Sequence, residues 1–174
     1  TSINENDGID NDNNGYIDDI NGYDFDEASG TLKVHHHGHS VAGVIGAKGN
    51  NEIGITGINW NVKMMLLNGR RVDSIIEAYE YVVEMRRRYN ESNGEEGAFV
   101  VVTNASFAID KTFCTEQETW GAMYDRLGEV GILTAAATDN SSYDVDELGD
   151  MPTTCPSDYI ITVLNTNIQD EKHS

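Results

Sequence analysis

"VHHHGHSVAGVIGAKGNN", residues Val34–Asn51, sets four histidines in five consecutive positions and follows them with small apolar residues. Val41 to Ala47 suits a tightly packed helix that begins near the histidines. A bare cluster of this kind is compatible with a solvent-exposed loop. It makes a poor zinc set, because side chains at i, i+1 and i+2 point in different directions and no Cys or carboxylate stands at a usual ligand spacing. Gly38-His39-Ser40-Val41-Ala42 imitates the strand–turn–helix motif G-x-S-x-G, which would make Ser40 a nucleophile. That motif needs a hydrophobic strand leading into the serine, and Thr31-Leu32-Lys33-Val34 followed by histidines supplies a weak one.

Residues 1–31 are rich in Asn, Asp and Gly and lack apolar periodicity, so they read as an acidic loop. Within them "DNDNNGYIDD" (Asp10–Asp19) matches the opening of an EF-hand-type loop. Asp10, Asp12 and Asn14 fall at ligand positions 1, 3 and 5, Gly15 takes the sharp turn, Tyr16 offers its carbonyl and Asp18 falls at position 9. Asn21 stands where the bidentate Glu belongs, so the full motif is absent and Asp19 or a residue beyond the loop must compensate. A bound Ca2+ is expected here. A solvated Asn/Asp turn is the alternative.

Downstream, Asn50–Gly57 is a Gly-punctuated loop and "VKMMLLN" (Val62–Asn68) reads as a buried strand. Asp73–Tyr89 carries Ile75, Ile76, Tyr79, Val82, Val83 and Met85 at helical spacing, with Asp73 as N-cap. "AFVVVTNASF" (Ala98–Phe107) is a second β-branched run, followed by a helix around Glu116–Val130. "GILTAAATDN" (Gly131–Asn140) and "YIITVLN" (Tyr159–Asn165) supply two further strands. Continuous apolar strands alternating with helices predict an α/β fold, a parallel sheet with helices on both faces. No repeat or linker divides the chain, so residues 1–174 read as one domain.

The 174 residues include 30 acidic and 11 basic side chains, a formal charge of −19. Nucleic acid and anionic membrane are excluded as partners, because counterion release needs clustered Lys and Arg. No apolar stretch approaches the roughly 20 residues that span a bilayer. The chain opens Thr1-Ser2 instead of Met, which reads as a processed product or a partial chain. Cys114 and Cys155 are compatible with one disulfide in an oxidising compartment or with two buried thiols.

Extended to Asn59, the stretch "HGHSVAGVIGAKGNNEIGITGIN" (His37–Asn59) resembles the subtilisin-like serine peptidases, or subtilases, whose signature is His-Gly-Thr-His-Val-Ala-Gly, a helix and an Asn-Asn-x-x-Gly loop. The resemblance continues in order through "VVVTNASFAID" (Val100–Asp110), "GILTAAATDN" and "CPSDYIITVLNT" (Cys155–Thr166). It implies the three-layer subtilisin-like fold, incomplete at both ends, and a serine endopeptidase acting on an extended polypeptide. The register makes His37 the catalytic base; His35 and His36 become loop residues, and His39-Ser40 replaces the usual Thr-His. Ser106, Phe107 and Ala108 become the substrate-binding edge, with Ala108 where the family has Gly, and Ala135–Thr138, including Ala136 and Ala137, the opposite wall. For the oxyanion-binding Asn an ungapped match offers Asp139. A carboxylate there would repel the developing oxyanion, whereas Asn140 can donate from its amide, so Asn140 is chosen.

The triad is otherwise missing. "NDGID" (Asn6–Asp10) mimics the aspartate motif, but Thr1–Asn6 supplies no strand before Asp7. None of the ten serines has the Gly-Thr-Ser-x-Ala-x-Pro context. The Asp and Ser are therefore expected on other segments of the same catalytic domain, either present as separate chains after processing or cut away in a truncated chain. The resemblance also implies an extracellular, periplasmic or cell-surface location, a Cys114–Cys155 disulfide, and a second calcium loop at "GNNEIGI" using Gly49, Ile53 and Ile55 carbonyls and the Asn51 side chain. Two other functions remain: a non-catalytic, calcium-stabilised binding module on the subtilase scaffold, and an α/β-hydrolase esterase using Ser40.

Overall fold

The computed structural model describes residues 6–33 and 35–171. The chain divides into two compact units, residues 1–78 and 79–174, the division falling inside one long helix.

In the first unit, β1 (Gly22–Asp24) runs parallel to β2 (Leu66–Asn68), with Gly22 opposite Leu66 and Asp24 opposite Asn68. Gly22 has φ +130°, and a Cβ there would lie 1.7 Å from the Leu66 carbonyl oxygen, so only glycine allows this pairing. Tyr23 and Phe25 are buried, and the Tyr16 ring packs edge-on to both at 4.9 and 5.6 Å. The Asp24 carboxylate, also fully buried, accepts from the Asp26 and Glu27 amides and from Asn68 Nδ2. This strand lies inside the stretch expected to be loop. Its three residues are too few to show a period, and its partner is more than forty positions away. Conversely, the strand expected across Val62–Asn68 shortens to three residues, with Leu66 45% exposed instead of buried.

Helix α1 (His36–Gly46) begins at the histidines as expected, but none of its residues is buried and Val44 is 55% exposed, so the tight packing expected of its small residues is not found. Its last carbonyls are satisfied by the returning loop: Gly57 N–H donates to Ala47, Ile58 to Val44 and Asn59 to Ile45. Gly46 gives Val62 room, since a Cβ would lie 2.5 Å from its Cγ1. Helix α2 (Val72–Glu91) starts one residue before Asp73, which therefore occupies the first turn and not the N-cap. There it accepts from the Ser74 amide and pairs with Arg71. Asp26 accepts from Ser74 Oγ at 2.7 Å and pairs with Arg70 at 3.2 Å, tying the loop after β1 to the start of α2.

In the second unit, β3 (Val102–Ala105), β5 (Leu133–Ala137) and β7 (Ile160–Val163) form a parallel sheet in the order β3-β5-β7. A short antiparallel pair, β4 (Ile109–Asp110) with β6 (Asp150–Met151), stands apart from it. Helix α3 (Glu118–Glu129) packs on β5 and buries Trp120, Met123, Tyr124 and Leu127. Thr134 and Ala136 on β5 are fully buried, and the Thr103 and Thr134 hydroxyls meet at 2.7 Å. The alternate positions Val102, Leu133, Ile161 and Val163 are 43–54% exposed. The α/β class and parallel pairing agree with the sequence, but in this sheet the apolar alternation shows one covered face and one open one. Cys114 and Cys155 form a disulfide across a sequence separation of 41. It links the turn that opens α3 to the segment leading into β7. A final helical turn, α4 (Val145–Leu148), is capped by Asp144, whose carboxylate accepts from the Asp146 amide.

Candidate active site

His37 is the second residue of α1, and its side chain is exposed. The helix entry leaves it free: His35 is extended at the N-cap with no side-chain capping bond, and the His39 amide donates to the His35 carbonyl. Ser40 lies inside the same helix, and its hydroxyl donates to the His36 carbonyl at 2.9 Å. No strand precedes it over residues 31–33, and Val34 lies outside the described residues. A nucleophile elbow holds its serine at a strand-to-helix turn, so the Ser40 reading fails on geometry.

The parallel register of β3 and β5, with Ala105 opposite Ala136, brings the carboxyl ends of two neighbouring strands together. Residues 106–108 leave one end and residues 138–140 the other. Crevices outside the carboxyl ends of such strands are where open α/β sheets hold ligands. Ser106 is half-buried and accepts from Asn104 Nδ2. Phe107 is not core: it is 42% exposed and stacks on Trp120 at 6.0 Å. Ala108 and Ala137 are half-buried and Ala136 is fully buried. The Thr138 amide donates to the Val163 carbonyl, so the chain turns off the sheet at the next residue. Asp139 is half-buried, and Ser141 hydrogen-bonds its carboxylate, holding it below the usual carboxylate range. Asn140 is exposed.

In the acidic loop, Asp10 folds inward and accepts the Asn14 and Gly15 amides at 3.0 and 2.8 Å; the bond from Gly15 leads in lowering its pKa. Asn14 Nδ2 reaches Asp19 at 2.6 Å and Asn14 Oδ1 accepts the Tyr16 amide. Gly15 has φ +95°, the sharp turn expected from the spacing. Asp12 is exposed beside them. Asp18 does something else: its carboxylate brackets the Asp7 and Gly8 amides. Among the described residues no three His, Cys, Asp or Glu side chains converge. A calcium ion here would therefore rest on fewer than three carboxylates, Asp10 first, and on neutral oxygens such as Asn14 and the Tyr16 carbonyl, oxygen donors that suit Ca2+ and not a soft metal. In the second loop, Gly49 is pressed against the Trp60 ring, Asn51 Oδ1 accepts the Ile53 amide, and Ile53 and Ile55 are 76% and 58% exposed.

The family model described as the subtilase family matches residues 2–173. The chain belongs to the subtilase family. It is 29% identical, over 123 residues, to subtilisin-like protease 1 of Plasmodium berghei (strain Anka), an alignment covering 67% of this chain and 18% of that one. The chain thus spans about a fifth of that relative's length. In fold it is similar to the epidermin leader peptide processing serine protease of Staphylococcus aureus, with TM-score 0.57 and 17% identity, over 87% of this chain and 42% of that one. As a subtilase, the chain has an α/β subtilisin-like fold built from parallel strands and helices. No helix among the described residues is long and apolar enough to cross a membrane.

Several residues that shape these segments carry no signal in the sequence. Asp24 and Asp150, both fully buried carboxylates, are hidden because isolated Asp residues in a chain this acidic look like solvated surface. Asp150 lies in β6 opposite Asp110 of β4, the strand that comes after residues 106–108, and its carboxylate accepts from the Thr153 hydroxyl.

Proposed function

We propose that this chain is the His-bearing part of a subtilisin-like serine endopeptidase. The carrying observation is the parallel β3–β5 register, which sets residues 106–108 beside residues 138–140 at the carboxyl ends of two strands. An extended polypeptide pairs with Ser106–Ala108 in β fashion, and Phe107 and the Ala136–Ala137 wall line the pocket for the residue before the scissile bond. His37 takes the proton of a serine hydroxyl as it attacks the carbonyl, then returns it to the leaving amine. Asn140 donates its amide to the oxyanion. The serine and the aspartate that orients His37 are supplied by segments outside residues 1–174, and the protein works outside the cytoplasm. Ca2+ at the Asp10–Asp19 loop, and at Gly49–Ile55 once a partner segment completes it, binds the loop oxygens and holds the loops still.

In the complete enzyme, His37→Ala should lower peptide hydrolysis by several orders of magnitude, since triad members act as a unit. His35→Ala should leave it within about tenfold, as a change outside the chemistry does. Equal losses at both positions would overturn the assignment. One observation favours a second reading, the non-catalytic binding module: the anionic Asp139 occupies the position of the oxyanion donor in an ungapped match. Fluorophosphonate labelling of the complete protein separates the two, since only the peptidase carries a labelled serine, and it lies outside residues 1–174.

A further inference from the structure

Proteolysis uses one histidine of the cluster and leaves His35, His36 and His39 without a role. The helix changes how they read. From i, i+1, i+2 spacing the cluster made a poor metal set, but α1 begins at His36, so His36 and His39 are helical and three residues apart. Two bonds show that the first turn is closed: His39 N–H to the His35 carbonyl at 2.9 Å and Ser40 Oγ to the His36 carbonyl at 2.9 Å. Residues at i and i+3 share a helix face with Cβ atoms about 5–6 Å apart, which two imidazoles can close onto one ion. His37 is rotated about 100° from His36 and falls on a different face. His35, extended at φ −114° and ψ 125°, leaves the helical screw. Both imidazoles, of His36 and His39, are on exposed residues.

We propose that His36 and His39 form a two-histidine site for a borderline divalent transition metal, Zn2+ or Ni2+, separate from the oxygen-lined calcium loops. Imidazole selects these ions over Ca2+. No third His, Cys, Asp or Glu side chain joins the pair among the described residues, so water completes the shell and the ion exchanges freely. The −19 charge of the chain raises the local concentration of divalent cations. The proposal does not depend on the peptidase reading.

The test is calorimetric titration of the 174-residue chain with Zn2+ and with Ni2+, in millimolar Ca2+ to fill the acidic loops. Expected is one-to-one binding that weakens at least about tenfold in His36→Ala and in His39→Ala, since losing even an outer-shell partner of a metal commonly costs about 10–100-fold. His37→Ala should bind as the parent does. Circular dichroism of each variant checks that α1 is retained, and His36→Gln with His39→Gln repeats the test with helix-compatible side chains. Unchanged affinity in the His36 and His39 variants, or an equal loss in His37→Ala, would overturn the site.

Discussion

The Cys114–Cys155 disulfide closes a loop that contains α3, β5 and β6, most of what builds the second unit's core. Replacing both cysteines by alanine opens that loop in the unfolded chain. With a separation of 41 residues, the chain-entropy relation gives a loss of about 4 kcal/mol. The site leaves little room for recovery by repacking, because Cys114 and Cys155 are both buried and Gly121 lies so close that a Cβ there would be 2.4 Å from Cys114 Sγ. Against a typical domain stability of about 5–15 kcal/mol, the double variant loses a large share of the total. Urea titration followed by circular dichroism should show a much lower midpoint, with a steeper slope because the unfolded chain becomes less compact. Two freely alkylated thiols in denatured, non-reduced parent protein, or a double variant with an unchanged midpoint, would refute the reasoning.

Three other perturbations have definite expected outcomes. Gly128→Ala places a Cβ 2.1 Å from the Tyr159 ring and should destabilise the second unit by about 1–3 kcal/mol, read as a lower urea midpoint. Asp26 has its pKa depressed, first by the Ser74 hydroxyl and then by Arg70 and Arg71, so its contribution is present above the ordinary carboxylate pKa and is lost as pH falls through the lowered one. Ser74→Ala should flatten that acid limb in melting curves, and an unaltered pH profile would argue against it. Millimolar Ca2+ should raise the melting temperature relative to EDTA, and Asp10→Asn should reduce the rise; no shift, with no calcium by elemental analysis, would leave the acidic loop a solvated turn.

The second unit is legible in the sequence wherever its elements are long. The α2 and α3 periodicities and the strands at 131–140 and 159–165 sit where their patterns put them, within a few residues. What escapes the sequence depends on distant partners. β1 exists because residues 66–68 pair with it, and local composition around Gly22 argues only for a turn. The antiparallel β4–β6 pair is two residues long on each side, below any detectable alternation. For the candidate site, the order of the motifs singles out residues 106–108 and 136–140, and the β3–β5 register explains why segments so far apart in the chain become neighbours. Spacing alone does not place Asp18, because it cannot tell a side chain facing an ion from one bracketing the amides of Asp7 and Gly8. His36 and His39 stand apart in a flat reading of the sequence, which lacks the helical screw that sets them side by side.

The open sheet face has a consequence for handling the protein. Val102, Leu133, Ile161 and Val163 present bare aliphatic surface that water wets poorly. In dilute buffer the −19 charge keeps copies apart by mutual repulsion. Salt shortens the reach of that repulsion from about 10 Å at about 0.1 M to about 3 Å at about 1 M. It does nothing to weaken the attraction between two such faces. Raising ionic strength should therefore make this strongly charged protein stickier, the reverse of salting-in, and light scattering across a salt series should show particles growing while monomer is consumed.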